Sequence, residues 1–160
     1  MDADDISQII FLLILLALSA FFSSSETALT TVNKIRMRTL AEAGNTKAKK
    51  VLKVTENSPK MLSAILIGNN IVNLSASSLT TSLAITLFGS VGAGVATGIL
   101  TFLILIFGEV APKTLATIKA DKISLSIAGF ISVLMVVLTP VIFIINKLSL
   151  GVIFLFGISQ

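Results

Sequence analysis

The longest uncharged run of the chain is residues 61–108, MLSAILIGNNIVNLSASSLTTSLAITLFGSVGAGVATGILTFLILIFG. These 48 residues separate Lys60 from Glu109. A helix needs about 20 apolar residues to cross the hydrocarbon core of a bilayer, which is about 30 Å thick. The run is therefore long enough for two membrane spans, and Phe88-Gly89-Ser90 is the expected turn between them.

Two shorter uncharged runs lie on either side, residues 6–25 (20 residues) and residues 123–146 (24 residues). Of all 160 residues, 54% are hydrophobic and only 12% are charged, whereas a soluble domain has about 25% charged residues. This composition excludes a soluble enzyme. It predicts an all-α, polytopic membrane protein.

The whole chain, residues 1–160, is expected to form a single transmembrane domain. Thr46 and Ser58 are the expected N-cap residues of two of its helices, because hydroxyl side chains satisfy free backbone N–H groups there. The acidic N-terminus is unlike a secretory signal peptide, so the first span is expected to be retained. The expected segments are a first span (1–32), a basic cytosolic helical hairpin (33–58), a second span (59–88), a third span (91–112), and a fourth apolar segment with a juxtamembrane helix (123–158).

The charged residues predict the orientation of these segments. Residues 33–60 contain eight Lys or Arg residues against only Glu42 and Glu56. Cytoplasmic loops of membrane proteins carry an excess of basic residues, so this loop is expected inside and the N-terminus outside. The net charge is +4, and the basic residues lie beside the spans, which favours an orientation signal over nucleic-acid binding.

The chain contains neither cysteine nor histidine. Disulfides, iron–sulfur clusters, thiolate nucleophiles, haem ligation and most zinc or copper sites are therefore excluded. Any metal ion bound here must be held by oxygen atoms. No cofactor and no enzymatic activity are expected.

Glu26 and Glu109 are the two carboxylates within or at the edge of the apolar runs. A charge at mid-bilayer costs about 2.5–3.5 kcal/mol on insertion scales, so such residues are candidates for function. At 1.5 Å per residue, Ser23 lies about 26 Å below Ile6 and Glu109 about 27 Å below Val91. Three spans thus bring polar groups into the inner half of the membrane, because Asn69 and Asn70 lie about 14 Å above Met61 on the same count.

These polar residues follow helical spacing. Pro112 has no N–H, so the carbonyl of Gly108 loses its helical donor beside the carboxylate of Glu109. Broken helices in transporters hold cations with such carbonyls. Hydroxyl, amide, carbonyl and carboxylate oxygens suit Mg²⁺ or Ca²⁺, and Na⁺ accepts a similar set. Two stripes of residues three or four apart accompany them, Ser19, Ser23, Glu26, Thr27 and Thr30 on the first span and Asn69, Asn73 and Ser77 on the second.

Structural roles remain open for several of these residues. The asparagines can be interhelical hydrogen-bond partners, and Ser24 can bond to its own helix. Glu109 and Lys113 are spaced for a simple ion pair. Gly94 and Gly98 form a GxxxG motif, which serves either a dimer contact or packing within one subunit.

Three motifs, in this order, resemble those of the transmembrane domain of the CorC/CNNM magnesium transporter family. The resemblance covers essentially all 160 residues. The motifs are FSSSETAL (22–29) at the end of the first span, GNNIVN (68–73) in the second span and GEVAPKT (108–114) at the end of the third.

The resemblance implies a homodimer in the cell (inner) membrane that exports or exchanges Mg²⁺, with Na⁺ as the proposed coupling ion. It also implies a metal site built from these motifs. Family members continue into cytosolic CBS domains that bind nucleotides, and this sequence stops at Gln160. The implied metal ligands are Ser23 with Ser24, Asn69 with Asn70, and Gly108 with Glu109.

The cytoplasmic C-terminus that the resemblance implies decides whether the number of membrane crossings is odd or even. From an outside N-terminus it requires an odd number of crossings. We therefore expect three full spans, an incomplete segment over residues 123–139, and a juxtamembrane helix over residues 141–158.

Two alternative functions come from other classes. A membrane scaffold or sensor that reports cation occupancy to a cytosolic domain would use the same site without transport. An intramembrane hydrolase would need a serine paired with Lys113, and no second motif supports it.

Overall fold

The computed structural model describes residues 2–157, and these residues form helices joined by short turns. Met1 and residues 158–160 lie outside the described residues. The last residue of the expected segments 123–158 and 141–158 is therefore not covered. The all-α prediction is confirmed, with no strand in the described part of the chain. The helices are α1 (Ala3–Thr31), α2 (Lys34–Glu42), α3 (Thr46–Glu56), α4 (Ser58–Leu105), a π-helical turn (Ile106–Val110), α5 (Ala111–Ile118), α6 (Ala120–Val137) and α7 (Thr139–Leu155).

Three stretches of helix in residues 2–157 are long and apolar enough to cross a membrane. They are α1, the continuous helical segment Ser58–Ile118, and α6. α1 has 29 residues, or about 44 Å at 1.5 Å per residue, which exceeds the hydrocarbon core. The structure is therefore that of a membrane-spanning helical domain.

Helix α4 reverses its direction at Gly89. Asn73 and Glu109 are 36 residues apart and would be about 54 Å apart along a straight helix, yet their side chains form a hydrogen bond of 3.1 Å. Gly89 has φ 70° and ψ 176°, a conformation that only glycine adopts without strain. The expected turn at Phe88-Gly89-Ser90 is thus confirmed, and it divides α4 into a first arm (58–88) and a second arm (90–105).

The second arm continues through the π-helical turn and α5 as far as Ile118, beyond the expected third span of residues 91–112. In this turn the backbone N–H of Ala111 donates to the carbonyl of Ile106, five residues earlier. Pro112 follows directly and cannot donate a backbone hydrogen bond. The proline therefore coincides with a widened turn, and the helix does not end there.

Helices α2 and α3 form the expected hairpin, with Gly44 at φ 95° in the turn. The start of α3 differs from the prediction. Asn45, and not Thr46, is the N-cap, and its side-chain oxygen accepts from the N–H of Ala48. An amide at this position is as good a cap as a hydroxyl.

The expected cap at the start of α4 is also wrong. Asn57 occupies the N-cap position, Ser58 is the first helical residue, and Pro59 follows it. The hydroxyl of Ser58 donates to the carbonyl of Thr55 at 2.9 Å. Ser58 therefore joins the end of α3 to the start of α4.

Helix α6 runs antiparallel to α1. Its start is fixed by Asp121, which accepts from the N–H of Asn33 at 3.0 Å and pairs with Arg36 at 3.5 Å. Further along, the rings of Phe130 and Phe21 pack edge to face, 5.1 Å apart. From Phe130, α6 extends seven more residues, or about 10 Å, whereas α1 extends about 27 Å from Phe21 to its N-terminal end.

Helix α6 thus ends well short of the N-terminal end of α1, although its 18 residues are long enough to be a candidate span. The expected incomplete crossing of residues 123–139 remains a prediction that this geometry supports. Helix α7 is apolar. Among its described residues, Ile142 is the one that is buried.

Candidate cation site

Three helical segments meet through one chain of polar side chains. The hydroxyl of Ser19 on α1 donates to the side-chain oxygen of Asn73 on the first arm of α4, at 2.9 Å. The side-chain amide of Asn73 donates in turn to a carboxylate oxygen of Glu109 in the π-helical turn, at 3.1 Å. Ser19 is buried, and the side chain of Glu109 is 28% exposed.

The carbonyl of Gly108 faces the same hydroxyl, with the Ser19 oxygen 3.4 Å away. Gly108 is buried, and a Cβ atom at this position would lie 3.1 Å from both Ser19 and Leu16. Glycine therefore allows the backbone of the π-helical turn to approach α1 closely. Pro112 has no N–H to donate to the carbonyl of Gly108, and this carbonyl accepts from the Ser19 hydroxyl on α1.

Ser23 and Asn69 lie one helical turn further toward the C-terminal end of α1. The contact between Ser19 and Asn73 joins antiparallel helices, so the residue four later on α1 is level with the residue four earlier on α4. The Ser23 hydroxyl and the Asn69 side-chain oxygen are both buried, and neither has a hydrogen-bond partner among the described residues. A buried polar atom without a partner costs about 1–3 kcal/mol.

The level of Ser23 relative to Glu109 differs from the prediction. Ser19 is level with Gly108, and Ser24 lies 3.5 Å from the carbonyl of Pro112, so Ser23 is level with the residues just after Glu109. The sequence count assumed equal depth for the two. Since the predicted span starts were only approximate, the count missed this shift of less than one turn.

Two of the six predicted ligands are outside this network. The hydroxyl of Ser24 donates at 2.7 Å to the carbonyl of Ala20 on its own helix. The side chain of Asn70 is exposed on the surface of α4. Because Asn70 is rotated about 100° from Asn69 around α4, the two amides cannot both face α1.

Glu109 also contacts Lys113, with 4.0 Å between the ammonium nitrogen and the second carboxylate oxygen. One carboxylate oxygen thus faces Asn73 and the other faces Lys113. The ammonium group is half exposed, which limits the energy of the pair, since exposed ion pairs contribute about 1 kcal/mol or less. The ion-pair interpretation and the ligand interpretation both fit this contact.

Ser19 and Asn73 are the site residues that the sequence reasoning did not select. Both belong to the stripes at helical spacing that the sequence showed, one turn from Ser23 and Asn69 respectively. Glu26, the second candidate carboxylate, is two turns further along α1 than Ser19 and lies outside this hydrogen-bonded chain. The stripes thus contain the two residues of this hydrogen-bonded network, and selecting them within the stripes requires the packing of the helices.

The donor set fits a hard cation. No group of three or more acidic side chains is placed to hold a metal ion within residues 2–157. A cation here would depend on the single carboxylate of Glu109 together with neutral oxygens. Mg²⁺ and Ca²⁺ accept such mixed oxygen sets.

Comparison with known proteins identifies the family of this chain. Residues 9–160 match the family described as the cyclin M (CNNM) transmembrane N-terminal domain. The chain is 44% identical over 147 residues to a UPF0053 protein of Haemophilus influenzae, covering 91% of this chain and 35% of that protein. It is 38% identical over 142 residues to the UPF0053 inner membrane protein YfjD of Escherichia coli, covering 89% of this chain and 33% of YfjD.

A chloroplastic DUF21 domain-containing protein of Arabidopsis thaliana is 34% identical over 153 residues, covering 95% of this chain and 23% of the plant protein. The chain thus spans about a third or less of the length of these relatives. With its apolar helices and the match over nearly its whole length, the chain is a multi-pass membrane protein that belongs to the cyclin M (CNNM) transmembrane domain family.

Proposed function

We propose that this chain is the membrane domain of a Mg²⁺ transporter that exports or exchanges the ion, with Na⁺ as the coupling ion. The observation that carries the proposal is the pair of buried oxygens of Ser23 and Asn69, which have no hydrogen-bond partner among the described residues. They lie one turn from the Asn73–Glu109 hydrogen bond, at the meeting of three helical segments. A bound cation would satisfy both oxygens.

In this proposal Glu109 supplies the charge, and the neutral oxygens complete the coordination. Mg²⁺ prefers octahedral coordination at 2.0–2.1 Å and is often bound through one or two carboxylates, with water filling the remaining positions. Ser24 and Asn70 have a weaker case, since one is bonded within its helix and the other is exposed. The proposed neutral ligands are Ser23, Asn69, Asn73 and the Gly108 carbonyl.

The setting of the site follows from the same proposal. The name of the E. coli relative places that protein in the inner membrane, and we propose the same location here. We also propose a homodimer. Nucleotide binding would belong to regions outside this sequence.

Flux measurements test the proposal and separate it from the sensor alternative. The chain is reconstituted into vesicles that contain a Mg²⁺-sensitive dye, and entry of added Mg²⁺ is followed with and without a Na⁺ gradient. A transporter moves the ion, whereas a sensor binds it and leaves the dye signal unchanged. Absence of flux with intact Mg²⁺ binding would favour the sensor.

Glu109→Gln tests the ligand assignment, because it keeps the size and one oxygen but removes the charge. We expect flux to fall to the level of empty vesicles. Glu26→Gln is the matched control and should leave flux near that of the wild type. Lys113→Ala removes the ion pair alone. If it abolishes flux as completely as Glu109→Gln, at equal protein content, the structural ion pair is the correct interpretation.

A further inference from the structure

The hairpin of α2 and α3 encloses a groove that is separate from the cation site. It has a volume of about 510 Å³. Lys34 and Arg38 line it from α2, and Lys49 and Lys53 line it from α3. Glu56 is the one carboxylate in its lining. The groove therefore carries four positive charges against one negative charge.

This arrangement of cations is unfavourable unless an anion is present. Lys34 and Arg38 are four residues apart on one helix, as are Lys49 and Lys53 on the other, and like charges at this spacing destabilise a helix. The ion pairs within residues 2–157 involve other basic residues. All four cations are exposed at the groove and are available to a ligand.

The position of the groove indicates where the anion comes from. Helix α2 begins three residues after α1 ends, so its first turn lies at the inner end of a membrane span. Ile35, next to Lys34, is 75% exposed, and Ile118 at the end of α5 is 74% exposed. Apolar side chains exposed at this level suit contact with lipid, and basic side chains beside them reach the headgroups.

We infer that the α2–α3 groove binds the phosphate group of an anionic membrane lipid. Diffuse attraction to an anionic surface would act on every lysine of the loop alike. The groove instead places two cations from each helix around one cavity, which suits a single phosphate-bearing headgroup. The site is independent of the proposed cation transport.

Lipid retention measured by native mass spectrometry tests this inference. The full chain is extracted from membranes containing phosphatidylcholine, phosphatidylglycerol and cardiolipin, and the lipids that remain bound are counted. Lys49→Gln/Lys53→Gln should lower retention of the anionic lipids by about tenfold or more, because it removes two charge-assisted contacts to the phosphate group. Retention of phosphatidylcholine should not change.

The matched control is Lys47→Gln/Lys50→Gln, which removes two charges of the same type from the same helix. Lys47 and Lys50 line a different cavity, against α6. This variant should change retention of anionic lipid by less than about twofold, because neither lysine lines the α2–α3 groove. Equal losses from the two variants would overturn the inference and assign the effect to diffuse charge.

Two further measurements cover misfolding and a soluble ligand. If Lys49→Gln/Lys53→Gln loses helical circular dichroism, Lys34→Gln/Arg38→Gln on the facing helix must reproduce the loss of lipid in a folded protein, or the inference fails. Inorganic phosphate and pyrophosphate are titrated into the chain in phosphatidylcholine nanodiscs. Binding of these ions at the groove, with unchanged lipid retention in the variants, would contradict a lipid as the ligand.

Discussion

At the scale of single residues, the site depends on which buried oxygens lack partners. Four side-chain oxygens in residues 2–157 are buried without a hydrogen bond, those of Ser23, Asn69, Thr80 and Ser124. The first two lie level with each other on facing helices and one turn from Glu109. Thr80 is two turns further along α4 than Asn73, and Ser124 is on α6. Position beside the carboxylate thus distinguishes the proposed ligands from the other two.

The pair Ser23→Ala and Ser124→Ala tests that distinction. Each change removes one buried hydroxyl that has no partner, so their effects on stability should be similar. Ser23→Ala should weaken the apparent affinity for Mg²⁺ about fivefold, which corresponds to about 1 kcal/mol for one neutral polar contact. Ser124→Ala should leave the affinity unchanged. Equal affinities for both variants, from the concentration dependence of flux, would remove Ser23 from the site.

Gly68 fixes how closely α4 approaches α1. A Cβ atom at this position would lie 2.7 Å from the ring of Phe22, too near for any side chain without a shift of the ring. Gly68→Ala should destabilise the protein by about 1–3 kcal/mol through overpacking. Thermal unfolding in detergent measures the change. Phe22→Leu in the same chain should restore part of the loss, and no restoration would show that the strain lies elsewhere.

At the scale of helices, the second arm of α4 presents a face that the chain does not cover. A Cβ atom at Gly94 or at Gly98 would meet no atom within 4 Å. The GxxxG motif therefore does not serve helix packing within the described chain, and the dimer contact stays a prediction. Small residues at such a face permit close approach of two helices in a membrane.

Gly98→Leu tests this face. The leucine has room in the single chain, so the fold should be retained, while two helices could no longer approach closely. The dimer fraction, measured by crosslinking in bilayers across a range of protein-to-lipid ratios, should fall. Ser82→Leu, an exposed position on the first arm of α4, is the control. A dimer fraction equal to that of the wild type would place the interface on another surface.

At the scale of the whole molecule, the orientation of the basic hairpin remains a prediction. The chain has no cysteine, so single cysteines report their own accessibility. Ala43→Cys is preferable to a change at Gly44, whose φ of 95° disfavours other residues. An impermeant thiol reagent should label Ser90→Cys, but not Ala43→Cys, on intact cells, because Lys and Arg residues are retained inside. The reverse pattern would invert the orientation.

Much of the fold could be predicted from the sequence because its causes are local. The uncharged runs require membrane spans, and a glycine at the centre of residues 61–108 permits the reversal at Gly89. The hairpin of α2 and α3 followed from its basic composition and its turn residues. The predicted N-caps of α3 and α4 were one residue late: Asn45 and Asn57 directly precede Thr46 and Ser58, and asparagine is as favoured at this position as a hydroxyl residue.

The motifs containing Ser23, Asn69 and Glu109 were visible in the sequence because polar residues are costly in apolar spans. The amino-acid sequence alone therefore determined the membrane fold, the family and the three segments that form the candidate site. Tertiary structure decided that Ser19 and Asn73 connect to Glu109 and that Asn70 does not. The reason is that such contacts depend on the rotation and register of the helices. These are fixed by the π-helical turn and by the close contact between Gly68 and Phe22, which join residues far apart in the sequence.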